Sequence, residues 1–179
     1  MKKYIDPFEY ASQILQGVEK GATITVCRNG QVNPMSISWG TMGVQWGKRL
    51  FTCFVREARY TKGMLDDTME FTVNIPMGGE NTKKIIGFCG SRSGRDTDKV
   101  AELGLPLESA DHVTPPAIRE LPLTLECKVV YCQKQDPDAI PEAFRTRYYP
   151  HDVPGADPQQ HQDYHTAYYG EIVAAYIVE

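Results

Sequence analysis

The sequence has no long apolar run. Its longest, Ile172 to Val178, spans seven residues, far short of the roughly 18 that a membrane-crossing helix needs. The opening Met1-Lys2-Lys3-Tyr4-Ile5-Asp6-Pro7 lacks the apolar stretch of a signal peptide, so a cytoplasmic protein with no membrane partner is expected. Cysteine is scarce and odd in number: there are five (27, 53, 89, 127 and 132) and no C-x-x-C spacing, which argues against both a disulfide framework and a zinc knuckle. Most are expected to be reduced core thiols. His161 and His165 stand four apart but lack the H-E-x-x-H pattern, so no metal site is expected there. Nucleotide-binding signatures are missing too. Gly87, Gly90 and Gly94 do not fit G-x-G-x-x-G, and Gly43-Val44-Gln45-Trp46-Gly47-Lys48-Arg49 is one residue short of a P-loop and ends in Arg. No internal repeat or low-complexity tract is visible.

What is present is an ordinary globular composition, with 179 residues that are 41% hydrophobic, 23% charged and 10% aromatic. That excludes a disordered tail, a collagen-like fibre and a coiled coil, and the length fits one domain spanning 1–179. The net charge of −4 is unevenly spread. Residues 48–99 carry ten Lys and Arg against seven Asp and Glu, whereas residues 100–179 carry five against thirteen. An acidic protein with a pI near 5.6 is a poor nucleic-acid binder, because affinity for the phosphate backbone grows with the number of neutralising cations. One small anion held by the cationic middle third remains open.

The local pattern alternates strands with short helices. Asp6-Pro7-Phe8-Glu9 reads as a helix start, with Phe8, Ala11, Ile14, Leu15 and Val18 at helical spacing and Gly21 as the stop. Ala22 to Arg28 alternates as a half-buried strand, and Asn29-Gly30 is a strong hairpin signal leading into a second strand near Gln31. Further strands are predicted at Arg49 to Arg56, Glu70 to Ile75, Pro122 to Gln133 and His165 to Val178. Thr61 is the expected cap of a helix over 62–67, Asn81 of a turn through Lys84, Ile85 and Phe88, and Asp96 of a helix from Thr97 to Leu103 that Gly104 ends. These helices are too short and too few for regular βαβ crossovers, so a mostly β fold is expected, an antiparallel barrel with short peripheral helices. Residues 136–163 hold five prolines without sustained periodicity and read as a long Pro-rich loop, a candidate arm over a site or a neighbouring subunit.

Three stretches depart from what a core alone requires. Asn33-Pro34-Met35-Ser36-Ile37-Ser38-Trp39-Gly40 puts small polar residues beside a large aromatic. Arg56-Glu57-Ala58-Arg59-Tyr60-Thr61-Lys62 gathers cations at a helix start, where free N–H groups and the helix dipole favour an anion. Phe88 to Lys99 is a Gly- and Ser-rich connector with three cations after its start, Arg92, Arg95 and Lys99. Each has an ordinary reading: a strand with a core Trp, a capped helix with solvated cations, a solvated turn. Together they offer a planar apolar wall, a phosphate seat and a cationic flexible backbone, which suits a flavin mononucleotide.

The sequence resembles the flavin reductase-like family, also called FMN-binding split barrels, and within it the flavoredoxin-like subgroup, from about Lys20 to Val178. The resemblance rests on Asn33-x-Met35-Ser36-x-x-Trp39, Val55-Arg56-x-x-Arg59-x-Thr61, Phe71-x-Val73-Asn74-x-Pro76, Cys89-Gly90-x-x-Ser93-Gly94-x-Asp96-x-x-Lys99 and His165-x-x-x-x-Gly170-Glu171-Ile172-Val173. It implies a Greek-key β-barrel, a homodimer with FMN near the subunit interface, and redox transfer through the flavin ring, with NADH, NADPH or a redox protein as electron donor. By the same resemblance Asn33, Met35, Ser36 and Trp39 line the ring and ribityl chain. Arg59 and Thr61 seat the phosphate, Lys99 supplies a cation to the flavin, and His165 is the catalytic histidine. The family's Gly-Asp-His reads Asp163-Tyr164-His165 here, adding bulk where a dinucleotide would lie. Alternatives are an NAD(P)H:flavin oxidoreductase supplying reduced flavin to a monooxygenase, a non-catalytic barrel binding a flavin or another phosphorylated ligand, and a hydrolase built on Cys89 or Ser93 with His165. The last lacks any nucleophile-elbow pattern.

Overall fold

The structure is a computed structural model, and it describes residues 1–150 and 163–179. Ten strands are described: β1 (Lys2–Tyr4), β2 (Ala22–Arg28), β3 (Gln31–Ile37), β4 (Gly40–Gln45), β5 (Lys48–Arg56), β6 (Glu70–Ile75), β7 (Leu107–Glu108), β8 (Ala117–Ile118), β9 (Leu123–Lys134) and β10 (His165–Val178). Five short helices flank them: α1 (Ala11–Lys20), α2 (Tyr60–Thr68), α3 (Thr82–Ser91), α4 (Lys99–Leu103) and α5 (Glu142–Tyr148). Seven strands run in the order β3-β2-β6-β9-β10-β5-β4, with β1 added on β10 and every pairing antiparallel. The path ends at β3 and β4, yet only Ser38 and Trp39 separate those two strands in the chain. Both free edges are therefore held together at that link, which rolls the sheet into a barrel left unpaired along one seam.

Local chemistry explains the tight corners. Asn29 and Gly30 adopt φ of 52° and 81° between β2 and β3, the left-handed pair that a two-residue hairpin requires. The interior is filled mainly from the five inner strands of the roll: Ile24, Val26, Phe51, Phe71, Val73, Leu125 and Tyr168 are fully buried in one cluster with Ile14 of α1 and Leu65 of α2. Burying each large side chain contributes roughly 1.5–3 kcal/mol. Asn74, part of the resemblance, is structural: its Oδ1 accepts from Thr25 Oγ1 at 2.9 Å and its Nδ2 donates to Thr124 Oγ1 at 3.3 Å, tying β2, β6 and β9 inside the sheet.

Several expectations need correction. α1 begins at Ala11, not after Asp6, because the Asp6 carboxylate accepts from Phe8 N at 2.9 Å and pairs with Arg49 at 2.6 Å, folding residues 7–10 into turns. The cap of α4 is Asp98, whose Oδ1 accepts from Val100 N and Ala101 N, so that helix starts at Lys99 instead of Thr97. Asn81 precedes α3 without a side-chain cap, and α3 is a full helix rather than a turn. Within 136–163, expected as one loop, Pro137–Ala139 forms a 3-10 turn and Glu142–Tyr148 forms α5. His161 and the other residues of 151–162 lie outside the described residues. Four cysteines are buried and Cys132 is exposed, all free. Among the described residues no helix is long and apolar enough to cross a membrane.

Candidate active site

A cleft opens beside the seam, in two lobes. The aromatic lobe, about 360 Å³, is lined by Met35, Ser36, Ile37, Ser38, Trp39, Phe54, Arg56, Arg59, Tyr148 and His165. The cationic lobe, about 200 Å³, is lined by Met35, Ala58, Arg59, Tyr60, Thr61, Arg92, Ser93, Gly94, Arg95, Asp96 and Lys99. Met35 and Arg59 belong to both, so the lobes meet at those two side chains.

The cationic lobe sits where the chain leaves β5 and enters α2. Arg59 precedes the helix in extended conformation, and the Tyr60 and Thr61 amides donate to no group of the described residues. Thr61, expected as a cap, instead stands inside the first turn, where its hydroxyl accepts from Asn33 Nδ2 at 2.9 Å. Asn33 is only 2% exposed and lies behind Thr61, lining neither lobe. Its Oδ1 is buried without a partner against Gly94, where a Cβ would come within 2.2 Å of that oxygen. Only glycine fits there. Ser36 donates its hydroxyl to the Ile86 carbonyl, fixing β3 to α3.

Charge is distributed unequally. Arg28, Lys48, Arg49, Lys62 and Arg119 all have carboxylate partners. By contrast Arg56, Arg59, Arg92, Arg95 and Lys99 have none within 4.0 Å among the described residues. Lys99, 3% exposed, is pushed down to about 8 by burial, with a further push from the Arg59 guanidinium. Burial and the Arg56 charge also lower Arg59, which stays cationic. Arg92 and Arg95 are exposed, but an unpaired buried cation such as Lys99 beside the half-buried Arg59 is costly on its own, an arrangement that favours an anion in this lobe.

At the aromatic lobe the Trp39 ring meets Tyr148 edge-on, with centroids 5.3 Å apart, and His165 at 4.9 Å. His165 is 6% exposed and is pushed down to about 3, first by burial and then by Arg56 and Arg59. It is therefore a neutral imidazole near pH 7. The unfolded chain takes up that proton near pH 6.5 while the folded chain does not until about 3, so stability is complete above about 6.5 and falls as pH drops through that window. Urea melts at pH 7.5 and 5 are expected to show a larger loss for the wild type than for His165→Gln; equal losses would contradict the burial argument.

Of the residues singled out in the sequence, Met35, Arg59, Thr61 and Lys99 converge on the cationic lobe, and Met35, Ser36, Trp39, Arg59 and His165 on the aromatic one. Tyr164, expected to crowd a dinucleotide, does not line the aromatic lobe; it stacks on Tyr149 at 4.7 Å. Tyr148 lines that lobe instead. Sequence reading missed Tyr148 and Tyr149 because α5 lies within the stretch expected as a Pro-rich loop, and Gln135 because only the pairing of β9 with β10 brings it to His165. The available signal was Pro141 followed by Glu142 in the first turn and Arg145 and Arg147 in the last.

The family model for the flavin reductase like domain matches residues 17–179. The chain belongs to the flavin reductase-like family. Among relatives of this flavin reductase-like chain, an uncharacterized protein of Archaeoglobus fulgidus is 31% identical over 130 residues, which cover 73% of this chain and 65% of that protein. The chain thus spans just under two thirds of that relative's length. The flavoredoxin from Methanosarcina acetivorans superposes with a TM-score of 0.64 at 24% identity, over 89% of this chain and 68% of that one. The NADH:FAD oxidoreductase SgcE6 of Streptomyces globisporus C-1027 gives 0.64 at 15% identity, over 98% and 87%. At these identities the two structural likenesses establish the split-barrel fold of the flavin reductase-like chain. Among its described residues no group of three or more His, Cys, Asp or Glu side chains could hold a metal ion.

Proposed function

We propose that this chain is a flavoredoxin-like redox protein that binds FMN, with the phosphate in the cationic lobe and the ring in the aromatic lobe. The observation that carries the reading is the continuity of an unpaired cationic seat with an aromatic slot through Met35 and Arg59. The residues fit the group. Arg59 offers a planar fork for a phosphate, the Tyr60 and Thr61 amides stand free at the start of α2, and the missing side chain of Gly94 lets the cationic connector lie against Asn33, which holds Thr61. Lys99 places a further cation within reach of the phosphate or of negative charge on the ring. Bound flavin supplies the electron chemistry. The chain's own groups bind it, orient it and shield it: Trp39 and Phe54 form apolar walls, and Tyr148, edge-on to Trp39, narrows the space beside that ring.

That narrowing favours exchange at the ring edge with a redox partner over stacking of a nicotinamide, which distinguishes this reading from the NAD(P)H:flavin oxidoreductase alternative. In anaerobic mixing the flavin band is expected to persist with NADH and NADPH and to bleach with dithionite; bleaching by either nucleotide would support the oxidoreductase form.

The binding reading is tested by absorption and by FMN fluorescence quenching across pH. A phosphate monoester is a dianion above about pH 6, whereas Lys99 has lost half its charge at about 8. Affinity is therefore expected to be greatest between those values and to fall as pH rises past 8. In Lys99→Gln the upper limb of the profile disappears. A protein that is colourless as purified and quenches no FMN at any pH overturns the proposal.

A further inference from the structure

Behind His165 lies a group of side chains that touches no lobe of the cleft directly. Gln135 Oε1 accepts from the backbone N–H of His165 at 3.0 Å, while the Gln135 N–H donates to the His165 carbonyl at 2.9 Å. The first bond settles the orientation of the amide, because a backbone N–H can only donate. The Tyr149 hydroxyl lies 2.9 Å from the same Oε1 and 2.9 Å from His165 Nδ1. An amide oxygen cannot donate, so the one phenolic proton goes to Gln135. What remains on the Tyr149 oxygen is a lone pair, and the Nδ1 facing it must carry a hydrogen. Nε2 is then bare. It has no partner among the described residues, and its ring lines the aromatic lobe.

Tyr149 is itself immobilised. It is 4% exposed, with the Arg56 guanidinium 5.2 Å from its ring centroid and Tyr164 stacked at 4.7 Å. Arg56 in turn donates to the Asp163 and Tyr148 carbonyls at 2.8 and 3.1 Å, and Asp163 accepts from Ala58 N. Asp163-Tyr164, the departure from the family's pattern, thus braces the tyrosine that faces the histidine.

We propose that Gln135 and Tyr149 are positioning residues that hold His165 as the Nδ1–H tautomer, so that Nε2 meets the occupant of the aromatic lobe as an acceptor of a hydrogen bond from an N–H or O–H group. The chemical class this selects is a planar molecule with a donor on its edge, such as a ring imide or carboxamide; a group presenting only acceptors there is left unpaired against a lone pair. The choice of flavin as that occupant rests on the function proposed above, whereas the tautomer does not.

The test is nitrogen NMR of protein labelled at the histidine rings, at pH 7, with His165 assigned by comparison with His165→Gln. In the flavin-free protein His165 is expected to show a protonated Nδ1 and an unprotonated Nε2. Tyr149→Phe keeps the ring that Arg56 and Tyr164 hold but removes the acceptor, and is expected to shift His165 to Nε2–H. Gln135→Glu keeps an oxygen that the phenol can donate to, and so is expected to retain Nδ1–H. Wild-type His165 protonated on Nε2 overturns the proposal without need of any variant, as does a folded Tyr149→Phe that keeps Nδ1–H. With FMN as the probe, the Nε2 resonance is expected to move toward the hydrogen-bonded position, and to stay put with inorganic phosphate. An unmoved Nε2 in protein that quenches FMN overturns the acceptor role. Protein that fails to quench FMN yet shows the tautomer refutes the flavin reading alone.

Discussion

Arg59→Ala is expected to weaken FMN binding by roughly 30- to 1,000-fold while leaving the melting temperature unchanged or slightly higher. Removing one partner of a desolvated charge pair costs about 2–4 kcal/mol of binding. In the flavin-free protein, however, the guanidinium has no carboxylate partner within 4.0 Å among the described residues, and its charge opposes that of Lys99. Truncation relieves that repulsion. Two further readings follow in the same titration. The pH at which Lys99 loses its charge is expected to rise, because one of its two downward influences is gone. Arg59→Lys is expected to recover only part of the affinity, since an ammonium restores the charge without the planar fork. Fluorescence titration measures both, and an Arg59→Ala protein that binds FMN within threefold of the wild type would place the phosphate elsewhere.

Gly94→Ala is expected to be the most damaging single methyl in the cleft. The added carbon would lie 2.2 Å from Asn33 Oδ1, 2.8 Å from Asn33 Cγ and 3.0 Å from Tyr60 Cδ1. Asn33 cannot swing away without breaking its bond to Thr61 at 2.9 Å, so the connector carrying Arg92, Arg95 and Lys99 must shift. Overpacking of this kind costs about 1–3 kcal/mol, a fall of roughly 2–12 °C in melting temperature for a domain of this size, and FMN affinity is expected to drop with it. Asn33→Ala in the Gly94→Ala background makes room for the methyl. The double variant is expected to melt above Gly94→Ala alone, although the hydroxyl of Thr61 has lost its anchor and affinity stays low. A Gly94→Ala protein that melts within 1 °C of the wild type would show that the connector yields freely.

How much of this could be read from the chain alone depended on whether a segment's structure is set locally. Glu70–Ile75 and His165–Val178 form strands over the residues predicted, because β-branched and aromatic residues follow one another between clear breaks. The Asn29-Gly30 hairpin was equally plain. β4 was not predicted: Gly40-Thr41-Met42-Gly43-Val44-Gln45 has two glycines and four exposed residues, and it is a strand through its pairing with β5. The turn that follows places Trp46 at φ 52°, a conformation that its side chain does not advertise. The site divides in the same way. Arg59, Thr61, Lys99, Trp39 and His165 are residue types whose chemistry is visible one at a time. Gln135 acquires its role only because the register sets Thr166 opposite Lys134, bringing the end of β9 to the start of β10, and Tyr149 because α5 delivers it to the same point.

The two-residue link at Ser38 and Trp39 has a consequence for how the protein responds to occupancy. Since the terminal strands of the sheet follow one another in the chain, bringing them together requires almost no loop-closure entropy, and the roll is completed by a covalent tether where a ladder of hydrogen bonds would otherwise stand. A ligand lodged alongside acts as a further strut between the two rims, beside α1, which packs on β4 and on β2. Amide hydrogen exchange along β3 and β4 should therefore slow on binding more than exchange in β6 or β9, whose neighbours on both sides already hold them.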